Sequence, residues 1–143
     1  MAEMAYLDNG ATSFPKPESV YVAMDEFYRR HGVNPGRSGA DAAVEAGNVL
    51  DETRKELNAF FGNPSPDYNR LILTSNATDS LNTIIQGVVQ PGDHVVSTRT
   101  EHNSVLRPLH EMANWDISSF ELTPSDRDGF VDPDEIAART RPE

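Results

Sequence analysis

A polar turn between two apolar segments is the stretch of the chain best suited to bind an anion. Residues 70–73 form a short apolar run that predicts a buried strand, and residues 81–88 carry apolar side chains at helical spacing. The turn between them, Ser75-Asn76-Ala77-Thr78, has only small or polar side chains, so a ligand can approach its backbone closely. The first amides of a helix lack internal acceptors and carry partial positive charge, which suits a phosphate. The same residue types are also ordinary helix caps, and by itself the turn fits a plain cap equally well.

A second polar turn, Glu101–Ser104, follows a second apolar run at His94–Thr98 and precedes another segment of helical spacing. His102 in this turn could stack on a flat aromatic ring or move a proton, and capping of the helix is the alternative. Its position directly after a strand favours the functional role.

The other three histidines are expected to have surface roles, and they are His31, His94 and His110. No pair of them has the spacing of a helical zinc site, so we expect no metal.

Turn signals and hydrophobic spacing predict the remaining elements. The second helix is expected to begin with Asp41 as its cap and to bury Val44 and Phe61 among its apolar residues. The other predicted elements are a helix from Pro17 or Glu18 to His31, a helix from Asp41 to Phe61, a strand at Ile117–Leu122, and a helix that Asp132 caps and that runs to about Arg139.

The second half of the chain therefore alternates three predicted strands with three predicted helices. This order is typical of an α/β fold with a mostly parallel sheet and right-handed crossovers. Ligands of such sheets bind beyond the carboxyl ends of the strands. We therefore expect the turns at Ser75–Thr78 and Glu101–Ser104 to lie together at one edge of the sheet.

Composition excludes several classes of function. The formal charge of -11 argues against a nucleic-acid surface and an anionic membrane. The absence of cysteine excludes disulfides and thiolate chemistry from these 143 residues. No segment has the length and apolarity of a signal peptide or a membrane span, so a cytoplasmic protein is expected.

One arginine and two lysines are candidate cations for ligand chemistry. Arg37 lies in a loop between Gly36 and Gly39 and could bind a carboxylate or phosphate with two hydrogen bonds, with a solvated surface role as the alternative. Lys16 lies between prolines and Lys55 among charged residues, so neither is expected to be a desolvated, reactive amine.

Five segments in order resemble the class V aminotransferase family, specifically its cysteine desulfurase and selenocysteine lyase branch. The resemblance extends from Tyr6 to about Arg139, and each segment alone is weak, whereas the five in order are specific. The segments are Tyr6–Pro17, Asn34–Gly39, Thr74–Asn82, Pro91–Val96 and Glu101–Pro108.

The resemblance implies a fold-type I enzyme that uses pyridoxal 5′-phosphate. In that family, the turn that matches Asn76, Ala77 and Thr78 binds the cofactor phosphate. The histidine that matches His102 stacks on the pyridine ring and can assist proton transfer. The resemblance therefore assigns cofactor binding to both polar turns.

The resemblance also implies a substrate side. The turn around Asn9 and Ala11 lines the substrate entrance in the family. The loop that contains Arg37 lies near a small amino-acid substrate, often across the interface of a homodimer. Gly10 replaces a common alanine, and Ala40 stands where this branch usually carries a histidine.

The implied activity is conversion of L-cysteine to L-alanine with release of transferable sulfur. The family's cofactor-binding lysine, its aspartate partner for the pyridine nitrogen and its sulfur-accepting cysteine belong to a later part of the chain. We therefore expect an N-terminal fragment that does not turn over by itself. Residues 1–40 would be an arm, helix and substrate loop, residues 41–143 a partial large domain, and the small C-terminal domain would be absent. The alternatives are a non-catalytic module that pairs with a full-length relative, and an aminotransferase of the same superfamily.

Overall fold

The computed structural model of the chain describes residues 5–36, 39–63, 65 and 67–142. These residues form two compact units, Met1–Ile72 and Leu73–Glu143. The predicted boundary at residue 40 rested on function rather than on compactness, and it stays a prediction. None of the helices in the described ranges is both long and apolar enough to span a bilayer.

The first unit contains two helices and one short turn of 3₁₀ helix. Helix α1 spans Glu18–His31, helix α2 spans Asp41–Phe60, and the 3₁₀ turn spans Tyr68–Arg70. Helix α1 packs on α2, and the 3₁₀ turn also packs on α2. Both helices match the predicted ranges to within one residue at each end.

Two predicted details of α2 are wrong. Asp41 is the first helical residue rather than the cap, which is Ala40 and makes no side-chain capping hydrogen bond. Val44 and Phe61 are exposed, whereas Ala43 and Ala46 are buried. Small side chains let a neighbouring backbone approach closely, so here the alanines rather than the large apolar residues mark the contact face.

The strand predicted at residues 70–73 is also wrong. Arg70 ends the 3₁₀ turn, and the residues after it form no ladder in the described part of the chain. Ile72 is 72% exposed. An apolar run specifies burial only when other strands flank it, and the sheet described below contains only two strands, neither of which pairs with this run.

The second unit contains a β-α-β arrangement with two further helices. Its elements are α3 (Ala77–Val88), β1 (His94–Thr98), α4 (Asn103–Asn114), β2 (Ser119–Thr123) and α5 (Pro133–Arg139). Strands β1 and β2 are parallel, in a register that pairs His94 with Ser119 and Thr98 with Thr123. The predicted α/β class with a parallel sheet is therefore confirmed.

Strand β2 begins two residues later than predicted because the end of α4 uses the backbone of Ile117. The Ile117 amide donates to the Met112 carbonyl, and the Ile117 carbonyl accepts from Gly92. Asp116, directly before it, has a φ of 54°. The chain thus completes the turn after α4 before it enters the sheet.

The core of this unit lies between α4 and the sheet. Leu109 and Met112 of α4 are buried, as is Thr123 at the end of β2. The rings of His110 and of Phe120 on β2 pack in a T-shaped arrangement, with centroids 4.7 Å apart. Burial of a Leu or Met side chain stabilises a fold by about 1.5–3 kcal/mol, so these contacts hold α4 in place.

The predicted surface role of His94 is wrong. Its side chain is only 2% exposed, and its Nδ1 atom lies 2.8 Å from the hydroxyl of Ser119, its partner in the register. The predicted cap of the last helix is confirmed, because the Asp132 carboxylate accepts from the Asp134 amide.

Candidate functional site

The start of α3 is an ordered cap that leaves two amides available. Asn76 is the N-cap, and its Oδ1 accepts from the Asp79 amide at 2.9 Å. The Asp79 carboxylate in turn accepts from the Ser75 amide at 3.3 Å. The Ala77 and Thr78 amides occupy the first two helical positions, where a helix offers no internal acceptor.

The start of α4 is capped by His102. Its Nδ1 atom accepts from the Ser104 amide at 3.1 Å and lies 2.9 Å from the Ser104 hydroxyl. Because Nδ1 is an acceptor, this hydrogen-bond network assigns the proton of the neutral ring to Nε2. The ring is exposed, and its Nε2 has no hydrogen-bond partner within the described residues.

The two helix starts face one open groove of about 760 Å³ within the second unit. Thr78 lines it from the α3 side and His102 from the α4 side. The sequence predicted that these two turns lie together, and the structure brings them together. Asn76 and His102 each cap a helix and also line the groove. The capping role and the ligand-binding role predicted for each turn are therefore compatible.

Arg107 adds a positive charge to this groove. It lines the groove from α4, is exposed, and makes no ion pair within the described residues. The carboxylate of Asp79 also lines the groove, but the Ser75 amide already binds it. Two helix N-termini and an unpaired guanidinium together favour an anionic ligand.

Asn82 joins the two sides of the groove. Its Nδ2 atom donates to the Thr78 carbonyl at 2.8 Å and to the Ser104 carbonyl at 3.3 Å. Thr78 belongs to the first turn of α3 and Ser104 to the first turn of α4. One side-chain amide thus connects the starts of both helices.

Sequence reasoning assigned no role to Arg107 or Asn82, although a signal was present. Each lies four residues after a residue of the predicted turn region, Asn82 after Thr78 and Arg107 after Asn103. Side chains four residues apart on a helix share one face. Extending each turn by one helical repeat would have found both.

The predicted substrate residues are not among the residues that line this groove. Asn9 and Ala11 belong to the first unit, where Asn9 Oδ1 accepts from the Phe14 amide and the Ala11 amide donates to the Asp8 carbonyl. Arg37 lies outside the described residues. The substrate roles of Asn9, Ala11 and Arg37 therefore remain predictions.

Neither lysine has the environment of a nucleophile. Lys16 donates to the Thr12 hydroxyl and the Ser13 carbonyl. Lys55 is exposed and donates to Glu52, and this hydrogen bond raises the pKa of Lys55. A reactive amine requires a lowered pKa, so the environment of Lys55 acts in the opposite direction.

The groove lies beyond the carboxyl end of strand β1 and combines two helix N-termini with an exposed imidazole. Residues 5–143 match the family model described as aminotransferase class V. The chain belongs to this family, whose members use pyridoxal 5′-phosphate.

Comparison with individual proteins points to one branch of the family. The chain is 34% identical over 147 residues to the cysteine desulfurase IscS of Dictyoglomus turgidum, covering 99% of this chain and 35% of that protein. It is 33% identical over 134 residues to a probable cysteine desulfurase of Pyrococcus abyssi, covering 91% and 32%. The cysteine desulfurase structure from Thermococcus onnurineus superposes with a TM-score of 0.79 at 29% identity, covering 92% of this chain and 33% of that one. The chain thus spans about a third of the length of these relatives.

Proposed function

We propose that the groove of the second unit is part of a pyridoxal 5′-phosphate site in a cysteine desulfurase-like protein. The phosphate binds at Asn76, Ala77 and Thr78, and the ring lies beside His102. The observation that carries this proposal is that Thr78 and His102 line one groove. The relatives named cysteine desulfurase supply the reaction class.

The donor set fits the phosphate of this cofactor. The Ala77 and Thr78 amides lack helical acceptors, and the exposed Thr78 hydroxyl makes no hydrogen bond within the described residues. Arg107 supplies a compensating positive charge. A volume of about 760 Å³ accommodates a ring together with its phosphate arm.

Bound pyridoxal 5′-phosphate supplies an electron sink for amino-acid chemistry. In this chain, α3 would hold the anionic end, and the capped imidazole of His102 lines the groove. With Nδ1 held by Ser104, the proton that His102 can transfer is the one on Nε2.

The substrate proposed is L-cysteine, with Asn9, Ala11 and Arg37 on the substrate side. We propose that this chain alone does not release sulfur from it. The chain has no cysteine to accept sulfur, and the pKa of Lys55 is raised rather than lowered. Incubation with pyridoxal 5′-phosphate and L-cysteine should therefore yield no sulfide, and clear turnover would contradict this part of the proposal.

Cofactor binding is tested separately from turnover with pyridoxamine 5′-phosphate, which cannot condense with lysine. Its fluorescence should change on addition of the chain, and pyridoxamine without the phosphate should bind much more weakly. His102→Ala should weaken binding of the phosphorylated compound, and His31→Ala, which changes a histidine of the first unit, should not. Equal binding by the wild type and the His102 variant would remove His102 from the site.

A second proposal is that the chain is a non-catalytic module that pairs with a full-length relative. Homodimer formation and a cytoplasmic location are also proposed for this protein. Ile84 and Val88 of α3 are 60% and 69% exposed, which is unusual for the apolar residues of an amphipathic helix. Co-purification of the tagged chain with a full-length relative expressed beside it would favour this proposal. Monomeric behaviour of the chain in that mixture would contradict it.

A further inference from the structure

We infer that Asn82 is a positioning residue of the groove. It sets the separation between the anion corner, which is the start of α3 at Thr78, and the ring corner, which is the start of α4 at His102, and it holds His102 in one tautomer. The inference rests on the proposed cofactor site for its consequence in binding. Its structural part depends only on the hydrogen bonds of Asn82, Ser104 and His102.

The first step is the double donation by Asn82. A side-chain amide has two N–H donors on one nitrogen, and here that nitrogen reaches the carbonyls of Thr78 and Ser104. The bond to Thr78 lies within α3, four residues away, and by itself stabilises only local structure. The bond to Ser104 crosses to α4 and is the one that fixes spacing.

The second step is the role of Ser104 toward His102. Ser104 is buried, accepts from Asn82 through its carbonyl, and donates to His102 Nδ1 through its amide. The first turn of a helix frays readily because its amides lack internal acceptors. The hydrogen bond from Asn82 of α3 to the Ser104 carbonyl therefore holds the Ser104 amide in position to donate to His102 Nδ1.

The consequence is a continuous series of hydrogen bonds from the anion corner to the ring corner. Thr78 carries the anion corner, and its carbonyl binds Asn82, which binds Ser104, which binds His102. Binding of a ligand that occupies only the Thr78 corner does not depend on these contacts. Binding of a ligand that must reach both corners does.

Two substitutions separate the local bond from the crossing bond. Asn82→Thr keeps a hydroxyl that can donate to the carbonyl four residues earlier but cannot also reach Ser104. Asn82→Leu removes both bonds and keeps the branched shape and the number of side-chain heavy atoms. Asn114→Thr is the matched control, because Asn114 is exposed at the end of α4 and makes no side-chain hydrogen bond within the described residues.

The first readout requires no ligand. ¹⁵N chemical shifts of the His102 ring, recorded above the pH range in which histidine is protonated, report its tautomer. The wild type and Asn114→Thr should show Nδ1 as the acceptor, and both Asn82 variants should show a mixture of tautomers. Unchanged His102 shifts in folded Asn82→Thr would overturn the inference, whatever the chain binds.

The second readout compares two probes. Pyridoxamine 5′-phosphate should bind Asn82→Thr about five- to tenfold more weakly, the change expected for one lost hydrogen bond, whereas inorganic phosphate should bind as it does to the wild type. Equal losses for both probes would indicate general destabilisation and overturn the positioning role. If the wild type binds no pyridoxamine 5′-phosphate, the proposed function fails, and the tautomer readout still decides the role of Asn82.

Discussion

Thr78 and His102 lie at the starts of different helices and line the same groove. The rest of α3, strand β1 and the loops on either side of β1 separate the two residues in sequence. The packing of α3 against α4 brings them together. The anion corner and the exposed imidazole are therefore parts of one site.

The hydroxyl of Thr78 is predicted to bind the phosphate. Thr78→Val keeps the shape of the side chain and removes one hydrogen bond, so the affinity for pyridoxamine 5′-phosphate should fall about five- to tenfold. Thr83→Val is the control, because Thr83 is exposed on the same helix and outside the groove lining. Titration by fluorescence measures both, and equal affinities of the two variants would exclude the hydroxyl.

The guanidinium of Arg107 is predicted to contribute charge to the same corner. Arg107→Gln should weaken phosphate binding about three- to tenfold at low salt, with a smaller difference at high salt because ions screen an exposed charge. Arg127→Gln removes the same charge from an exposed position outside the groove lining. If both variants lose affinity equally, net charge rather than Arg107 is responsible.

The side chain of Asn76 is predicted to stabilise α3 as its cap. Asn76→Ala removes the acceptor of the Asp79 amide and should lower the free energy of unfolding by about 1 kcal/mol. Urea unfolding measures the change, with Asn114→Ala as a control that loses no hydrogen bond within the described residues. An unchanged midpoint in the Asn76 variant would mean that water replaces the cap without cost.

The sequence predicts the helices and the two paired strands of this structure better than it predicts the strand at residues 70–73. Capping signals and apolar spacing predict α3, β1, α4 and α5 because those signals are local, and the helix cap at Asp132 is an example. The strand at residues 70–73 fails because pairing depends on neighbouring strands that a local apolar run does not specify.

The sequence predicts part of the candidate site, as it predicts part of the fold. The prediction that His102 and Thr78 lie together assumed that both turns follow parallel strands. Only His102 follows a strand, and the packing of α3 against α4 is what brings Thr78 to the groove. The roles of Asn82 and Ser104 depend on a hydrogen bond between two helices. No spacing within either helix encodes that contact, so it appears only when the helices are packed.

The raised pKa of Lys55 predicts low reactivity. Its cause is first the hydrogen bond to Glu52, so the amine stays protonated to a higher pH than an ordinary lysine. The stabilisation from this pair is complete below the ordinary lysine pKa and is lost as the pH rises through the raised value. Borohydride reduction with pyridoxal 5′-phosphate should label Lys55 weakly, and Glu52→Gln should increase that labelling. Strong labelling of Lys55 in the wild type would contradict this prediction.

One titration tests directly whether a single molecule occupies both corners. The amide signal of Thr78 and the ring signals of His102 are followed by NMR as pyridoxamine 5′-phosphate is added. We predict that both move along saturation curves with one dissociation constant, and that pyridoxamine without phosphate leaves the Thr78 amide unmoved. Movement of only one residue, or two different dissociation constants, would contradict a shared cofactor site.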